Sequence, residues 1–139
     1  MIKIGFTGTR KGMTSAQKKT FYELLSSYLA VDFHHGDCIG AYAEAHDMVV
    51  ALGCRTIIHQ PDNDSARAFK QGDVMRSPLP YLDRNKQIVN STQLLIATPE
   101  TAEETLRSGT WSTVRYACKS PGMMVYVILP DGKIDKRKD

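Results

Sequence analysis

Cysteine is scarce in this chain: Cys38, Cys54 and Cys118 are odd in number, widely spaced and never arranged as C-x-x-C. That excludes a disulfide framework and a zinc knuckle and fits a reducing compartment, so the cytoplasm is the expected location. No apolar run approaches the roughly 20 residues needed to span a bilayer, and no membrane partner is expected. Residues 2–6 read as a strand from the outset, so no signal peptide is expected either. A surplus of one charge is missing as well. Lys and Arg number 18 against 15 Asp and Glu, a net charge of +3, part of it crowded into Lys133, Lys136, Arg137 and Lys138. This balance suits an anionic small molecule and is too weak to make nucleic acid the expected partner. There is no full G-x-G-x-x-G fingerprint and no Walker A loop, so a standard dinucleotide turn is not supported. No internal repeat or low-complexity block is present.

What remains is an ordinary globular composition, 42% hydrophobic and 24% charged over 139 residues. That is enough for one domain with a real core. The domain is expected over residues 1–130, with a solvated basic tail over 131–139. Short β-rich runs at 2–6, 31–34, 55–59, 94–97 and 123–129 alternate with helical patterns. Thr14 or Ser15 caps the first helix, whose apolar face is Phe21, Leu24, Leu25, Tyr28 and Leu29. A second helix spans 38–52 with Ile39, Ala43 and Val50 inward, closed by Gly53. A third covers 82–90 around Ile88 and Val89, and a fourth covers 111–119. Residues 60–80 carry Pro61, Gly72, Pro78 and Pro80 and read as a long irregular loop, of the kind that is functional or mobile. The alternation predicts an α/β fold, a doubly wound parallel sheet of about five strands in the order 3-2-1-4-5 with helices on both faces.

In such a sheet ligands bind beyond the carboxyl ends of the strands, here between strands one and four. That rule gathers several segments on one rim. Thr7-Gly8-Thr9-Arg10 offers backbone N–H groups and a guanidinium fork to a phosphate. Arg107-Ser108-Gly109-Thr110-Trp111-Ser112-Thr113 opens a helix with a cation, a glycine and hydroxyls, the needs of an anion-binding N-terminus. Pro99-Glu100 ends strand four. Asp37 and His35, flanking Gly36, are placed to meet ribose hydroxyls, though Asp37 equally reads as a helix N-cap. Tyr81-Leu82-Asp83-Arg84-Asn85-Lys86 sets two cations at a helix start, the electrostatically wrong end unless an anion or Asp83 is near. His34 and His35 point to opposite faces of an extended strand, so no metal site is expected. Trp111 reads as core packing, and His46 and His59 as ordinary surface or packing residues.

The segments TGTR (7–10), HGDCIGAYAEA (35–45), YLDRNKQIV (81–89), LLIATP (94–99) and RSGTWSTVRYA (107–117) together resemble the SLOG superfamily. This group of Rossmann-like domains includes the DNA-processing Smf/DprA proteins and the LOG phosphoribohydrolases. The likeness runs from residue 4 to 130 and is nearest to short stand-alone bacterial and phage members. It implies a nucleotide or nucleotide derivative at the rim, no separate cofactor, and a homodimer or higher homo-oligomer through the helices that begin at Leu82 and Trp111. In the LOG enzymes an arginine before strand four and a glutamate in a P-G-G-x-G-T-x-x-E loop cleave the base from a nucleoside monophosphate. Arg84, with Asn85 beside it, matches that arginine, and Gly109-Thr110 match the G-T. Leu106 and Arg107 stand where the paired glycines belong, and Thr113 stands where the glutamate belongs. N-glycoside cleavage needs a carboxylate, so an enzyme would have to pair Arg84 with a substitute such as Glu100. Binding, whether to sense or to sequester, therefore ranks ahead of N-glycosidase activity, with single-stranded DNA binding third. The implied layout puts phosphate at Gly109-Thr110, with Ser108 and Thr113 donating. Arg10, Arg84 and Arg107 neutralise it, Asp37 and His35 face ribose, and Glu100 reads sugar or base. The 60–80 loop folds over the ligand.

Overall fold

Seven strands and four helices alternate along residues 1–138, the part of the chain that this computed structural model describes. Asp139, the end of the expected tail, lies outside the described residues. The order is β1 (Ile2–Gly8), α1 (Ser15–Ser26), β2 (Val31–His35), α2 (Ala41–Ala51), β3 (Arg55–Pro61), β4 (Val74–Leu79), α3 (Tyr81–Asn90), β5 (Leu94–Thr98), α4 (Gly109–Cys118), β6 (Met124–Ile128) and β7 (Ile134–Lys138). They form one sheet in the order β4-β3-β2-β1-β5-β6-β7, parallel except for β7. Its middle, β3-β2-β1-β5-β6, is the predicted doubly wound order, and the chain crosses between halves at β1 and β5. No helix among the described residues is long and apolar enough to cross a membrane.

Burial on both faces explains the continuous apolar strands. On one face Phe6, Phe21, Phe33 and Tyr42 pack under α1 and α2, with Phe6 edge-on to Phe21 and Tyr42 at 5.5 Å. On the other, Trp111, Val114 and Ala117 of α4 cover Val125 and Val127. Thr14 and Gln17 close α1 with a capping box, and Gln17 Nε2 donates to the Pro99 and Ile128 carbonyls. That buried amide ties the carboxyl ends of β5 and β6 together.

Several expectations are corrected. The sheet has seven strands because both edges are extended by segments that bury little. β4 arises inside the expected 60–80 loop, where an edge position tolerates Pro78. Residues 134–138 of the expected solvated tail pair with β6 after an Asp131-Gly132 turn in which Gly132 has φ +89°. There the Arg137 guanidinium lies 5.2 Å from the Trp111 ring and the Lys136 ammonium 5.6 Å from that of Tyr126. In α2 the inward residues are Tyr42, Ala45, His46 and Val49, whereas Ile39 and Val50 are exposed. Leu29 of the predicted α1 face is fully exposed, beyond the end of the helix.

Candidate functional site

A cavity of about 780 Å³ opens at the carboxyl edge, between the ends of β1 and β5. Gly8, Thr9, Arg10 and Lys11 form one wall, Glu100 and the loop from Thr105 to Ser108 a second, and the first turns of α3 and α4 the third. Gly8 is dictated by crowding, since a Cβ there would meet Ala41 Cβ at 2.6 Å and Phe6 at 2.9 Å. Two helix N-termini face this space. α3 begins after Pro80 with no side-chain cap. In α4, Ser108 Oγ accepts from the Trp111 amide at 3.1 Å, leaving the Gly109 and Thr110 amides without a partner inside the helix. Their dipoles and the cations Arg10, Lys11 and Arg107 give the cavity a positive potential. The one acidic side chain lining it, Glu100, is held by Lys11 at 2.8 Å. That bond raises the Lys11 pKa. Interaction with Tyr81 raises that of Arg10, whose guanidinium lies 5.2 Å from the Tyr81 ring.

Of the residues the sequence nominates, Gly8, Thr9, Arg10, Glu100, Arg107, Ser108, Gly109 and Thr110 line this cavity. The others do not. Thr113 is buried and its hydroxyl donates to the Gly109 carbonyl at 2.9 Å, spent within its own helix. Pro99 is buried, with its carbonyl taken by Gln17. Arg84 is fully buried. Its guanidinium donates to the Gly36 and His59 carbonyls and to Asn85 Oδ1, and it reaches the Cys38 thiol at 3.6 Å. The Tyr81 ring lies 4.8 Å above it, so Tyr81 is a partition with Arg84 beneath and Arg10 beside the cavity. Gly109 sits across the cavity wall from the same tyrosine, 3.4 Å from its hydroxyl by an added Cβ. Arg84 and the α4 start are thus neighbours through one ring.

His35, Gly36 and Asp37 form a closed loop. Gly36 leaves room for Arg84, whose guanidinium a Cβ would strike. His35 is wholly buried, shares a 2.9 Å hydrogen bond with His46, and accepts from the Asp37 amide. Burial first, and then His46, hold its pKa well below the ordinary value, so it is neutral. Asp37 does not cap α2. Gly40 does, with φ +82° and no side-chain bond, and the Thr9 carbonyl accepts from the Ala41 amide at 2.9 Å. Asp37 instead accepts from Arg67 Nε and the Lys70 amide, both at 2.9 Å, and its carbonyl takes the Ala68 amide. These bonds strap residues 62–73 down, with Asp37 and Phe69 both at positive φ. Residues of that strap and of β3's end wall a smaller cavity of about 240 Å³ with Arg10, Cys38 and Tyr81.

Lys11 and Tyr81 were not foreseen as wall residues. Tyr81 could have been found from helix geometry, because Arg84 lies one turn before the core residue Ile88 and must share its inward face. Among the described residues no group of His, Cys, Asp and Glu is arranged to hold a metal.

No family model matches the chain, and no curated protein matches it. Two solved structures share its architecture. The molybdenum cofactor binding protein from the phototrophic bacterium Rippkaea orientalis superposes with a TM-score of 0.66 at 22% identity, over 91% of this chain and 76% of that one. TM1055, a structural-genomics target solved by X-ray crystallography, gives 0.55 at 16% identity, over 70% of this chain. The chain spans 61% of TM1055's length. At these identities the likeness establishes a Rossmann-like fold and nothing finer.

Proposed function

We propose that this chain is a SLOG-type domain that binds a phosphorylated nucleotide or nucleotide-derived signalling molecule in the cavity at the carboxyl edge of its sheet. The observation that carries this reading is the convergence of two uncapped or half-capped helix starts with Arg10, Lys11 and Arg107 around one space of about 780 Å³. A phosphate would take the Gly109 and Thr110 amides, with Arg10 and Arg107 neutralising it. Glu100 would accept from a sugar hydroxyl or a base amine after exchanging Lys11 for the ligand. In this reading Arg84 is a positioning residue, which fixes Tyr81 and the Gly36 backbone behind the wall. That the Rippkaea orientalis neighbour binds a molybdenum cofactor supports a small-molecule site on this architecture.

Binding ranks ahead of N-glycoside cleavage because Thr113 replaces the expected carboxylate and faces its own helix, and because Glu100 is already paired. Heat release of small molecules from the purified protein, read by mass spectrometry, tests the proposal. A phosphorylated nucleotide in the extract is the expected result. A clean extract together with no calorimetric response to a panel of nucleoside 5′-monophosphates would overturn it. Free base appearing in that panel would assign the hydrolase instead.

A further inference from the structure

The sheet face under α3 is only partly covered. β3 runs to β4 through 62–73 without a helix, so on this face α3 packs on β3 and β4 and shares β1 with α4. Beside its C-terminal end a groove of about 390 Å³ remains. Register builds its floor: Lys3, Asp32 and Arg55 lie abreast on β1, β2 and β3, and His34 follows two residues along β2 between Gly5 and Ile57. Arg76 closes the side from β4. Lys3, Asp32 and Arg55 stand within the first two residues of their strands, at the end of the sheet opposite the cavity described above.

Two acceptors here are unspent. Asp32 is only 7% exposed; one carboxylate oxygen takes Arg55 Nη1 at 3.2 Å, while Oδ1 is buried with no donor among the described residues. A buried carboxylate oxygen left so is costly and calls for a partner. His34 is 2% exposed. Gln87 Oε1 can only accept, so His59 donates to it from Nδ1 at 2.7 Å. His59 Nε2 must then accept from His34 Nδ1 at 2.8 Å, which leaves the lone pair of His34 Nε2 to the groove. Burial, then His59, then Arg76, Lys3 and Arg55 hold the His34 pKa down to about 3, so the ring stays neutral.

We infer that this groove is a second ligand site, for a small polyhydroxylated phosphate. Hydroxyls donate to Asp32 Oδ1 and His34 Nε2, while the phosphate lies against Lys3, Arg55 and Arg76. Asp32 offsets one of the three cations, and the two positive charges that remain match a phosphate monoester near its second ionisation. The volume falls within the range of small-molecule sites. This groove and the first cavity share no lining residue.

Ribose 5-phosphate, ribose and inorganic phosphate, titrated into the 15N-labelled full chain, test it through the imidazole resonances of His34. Ribose 5-phosphate is expected to move the His34 Nε2 resonance and to bind more tightly than inorganic phosphate. Replacing Arg55 and Arg76 by Ala should weaken it about tenfold or more, the scale of a charge-assisted hydrogen bond. Asp32→Asn should reduce the preference over inorganic phosphate. Arg107→Ala should leave the His34 response intact. A static His34 resonance at about 10 mM probe, beyond the weak end of ordinary affinities, would overturn the site. So would unchanged affinity in the double variant, or inorganic phosphate binding as well as the sugar phosphate. A response lost with Arg107 would also contradict it, since the anion would then sit in the other cavity.

Discussion

Two polar loops leave the same edge of the sheet, and they differ in where their hydrogen bonds go. The loop after β2 turns inward. His35, Gly36 and Asp37 are bound by His46, Arg84, Arg67 and the backbone of residues 68 and 70, and Asp37 is fully buried. The loop after β5 turns outward: Glu100 and Arg107 are exposed, and the α4 start keeps two amides free of helical partners. The helices behave alike. The N-terminus of α2 is stopped by the Thr9 carbonyl, whereas that of α4 opens on the cavity. Residue type is similar in both loops, and the difference lies in whether the protein itself supplies the counterpart. A satisfied polar group is a strut; an unsatisfied one at the same edge is available to a ligand.

Substitutions should separate struts from walls. The largest effect is expected for Arg84→Met, which strips the Gly36 and His59 carbonyls of their donor; a loss of about 3 kcal/mol or more follows from two buried acceptors left unpaired. Urea unfolding measures it, and a near-native midpoint would mean that Arg84 is no strut. Asp37→Ala should cost about 2 kcal/mol, the scale for hydrogen bonds to a charged group, and should make residues 62–73 the first site of limited proteolysis. If cleavage there is unchanged, the strap does not depend on Asp37. On the open side, Arg107→Ala should weaken nucleotide binding by about 1.5 kcal/mol and leave the unfolding midpoint alone. Calorimetry on a destabilised protein with native affinity would reverse the assignment.

Acid probes the buried histidines of β2 and β3 more gently. His34 is pushed down to about 3 and His59 to about 4, chiefly by burial, against an unfolded value near 6.5. Both are neutral when folded, and the unfolded chain takes up protons first. Their contribution is therefore complete above about pH 6.5 and is lost as pH falls toward 4, by up to about 1.4 kcal/mol per pH unit for each histidine. Unfolding midpoints compared across that window check this, and a flat profile would mean that the histidines are protonated in the fold.

The five central strands were legible because burial on both faces demands continuous apolar residues, as in Leu94–Thr98. β4 left no such mark, since four of its six residues are exposed. β7 was signalled only by Asp131-Gly132, a hairpin turn pair that the run of basic residues overshadowed. The rim followed from topology, which is why Gly8, Arg10, Glu100 and Gly109 meet. Depth did not. Nothing in the letters His35, Asp37 or Thr113 says whether a polar atom is answered from within, and that depends on contacts spanning up to 48 residues of chain, as between Gly36 and Arg84. For Arg84 and Asn85 the clue was present in their spacing from Ile88 and Val89, all four buried on one face of α3.

Amide chemical shifts during a titration with nucleoside 5′-monophosphates test the difference between the two edges most directly. The Gly109 and Thr110 amides of α4 should move with the ligand while the Ala41 amide of α2, already held by Thr9, stays in place. Movement of Ala41 with silence at Gly109 and Thr110, or no response at either helix, would contradict the account.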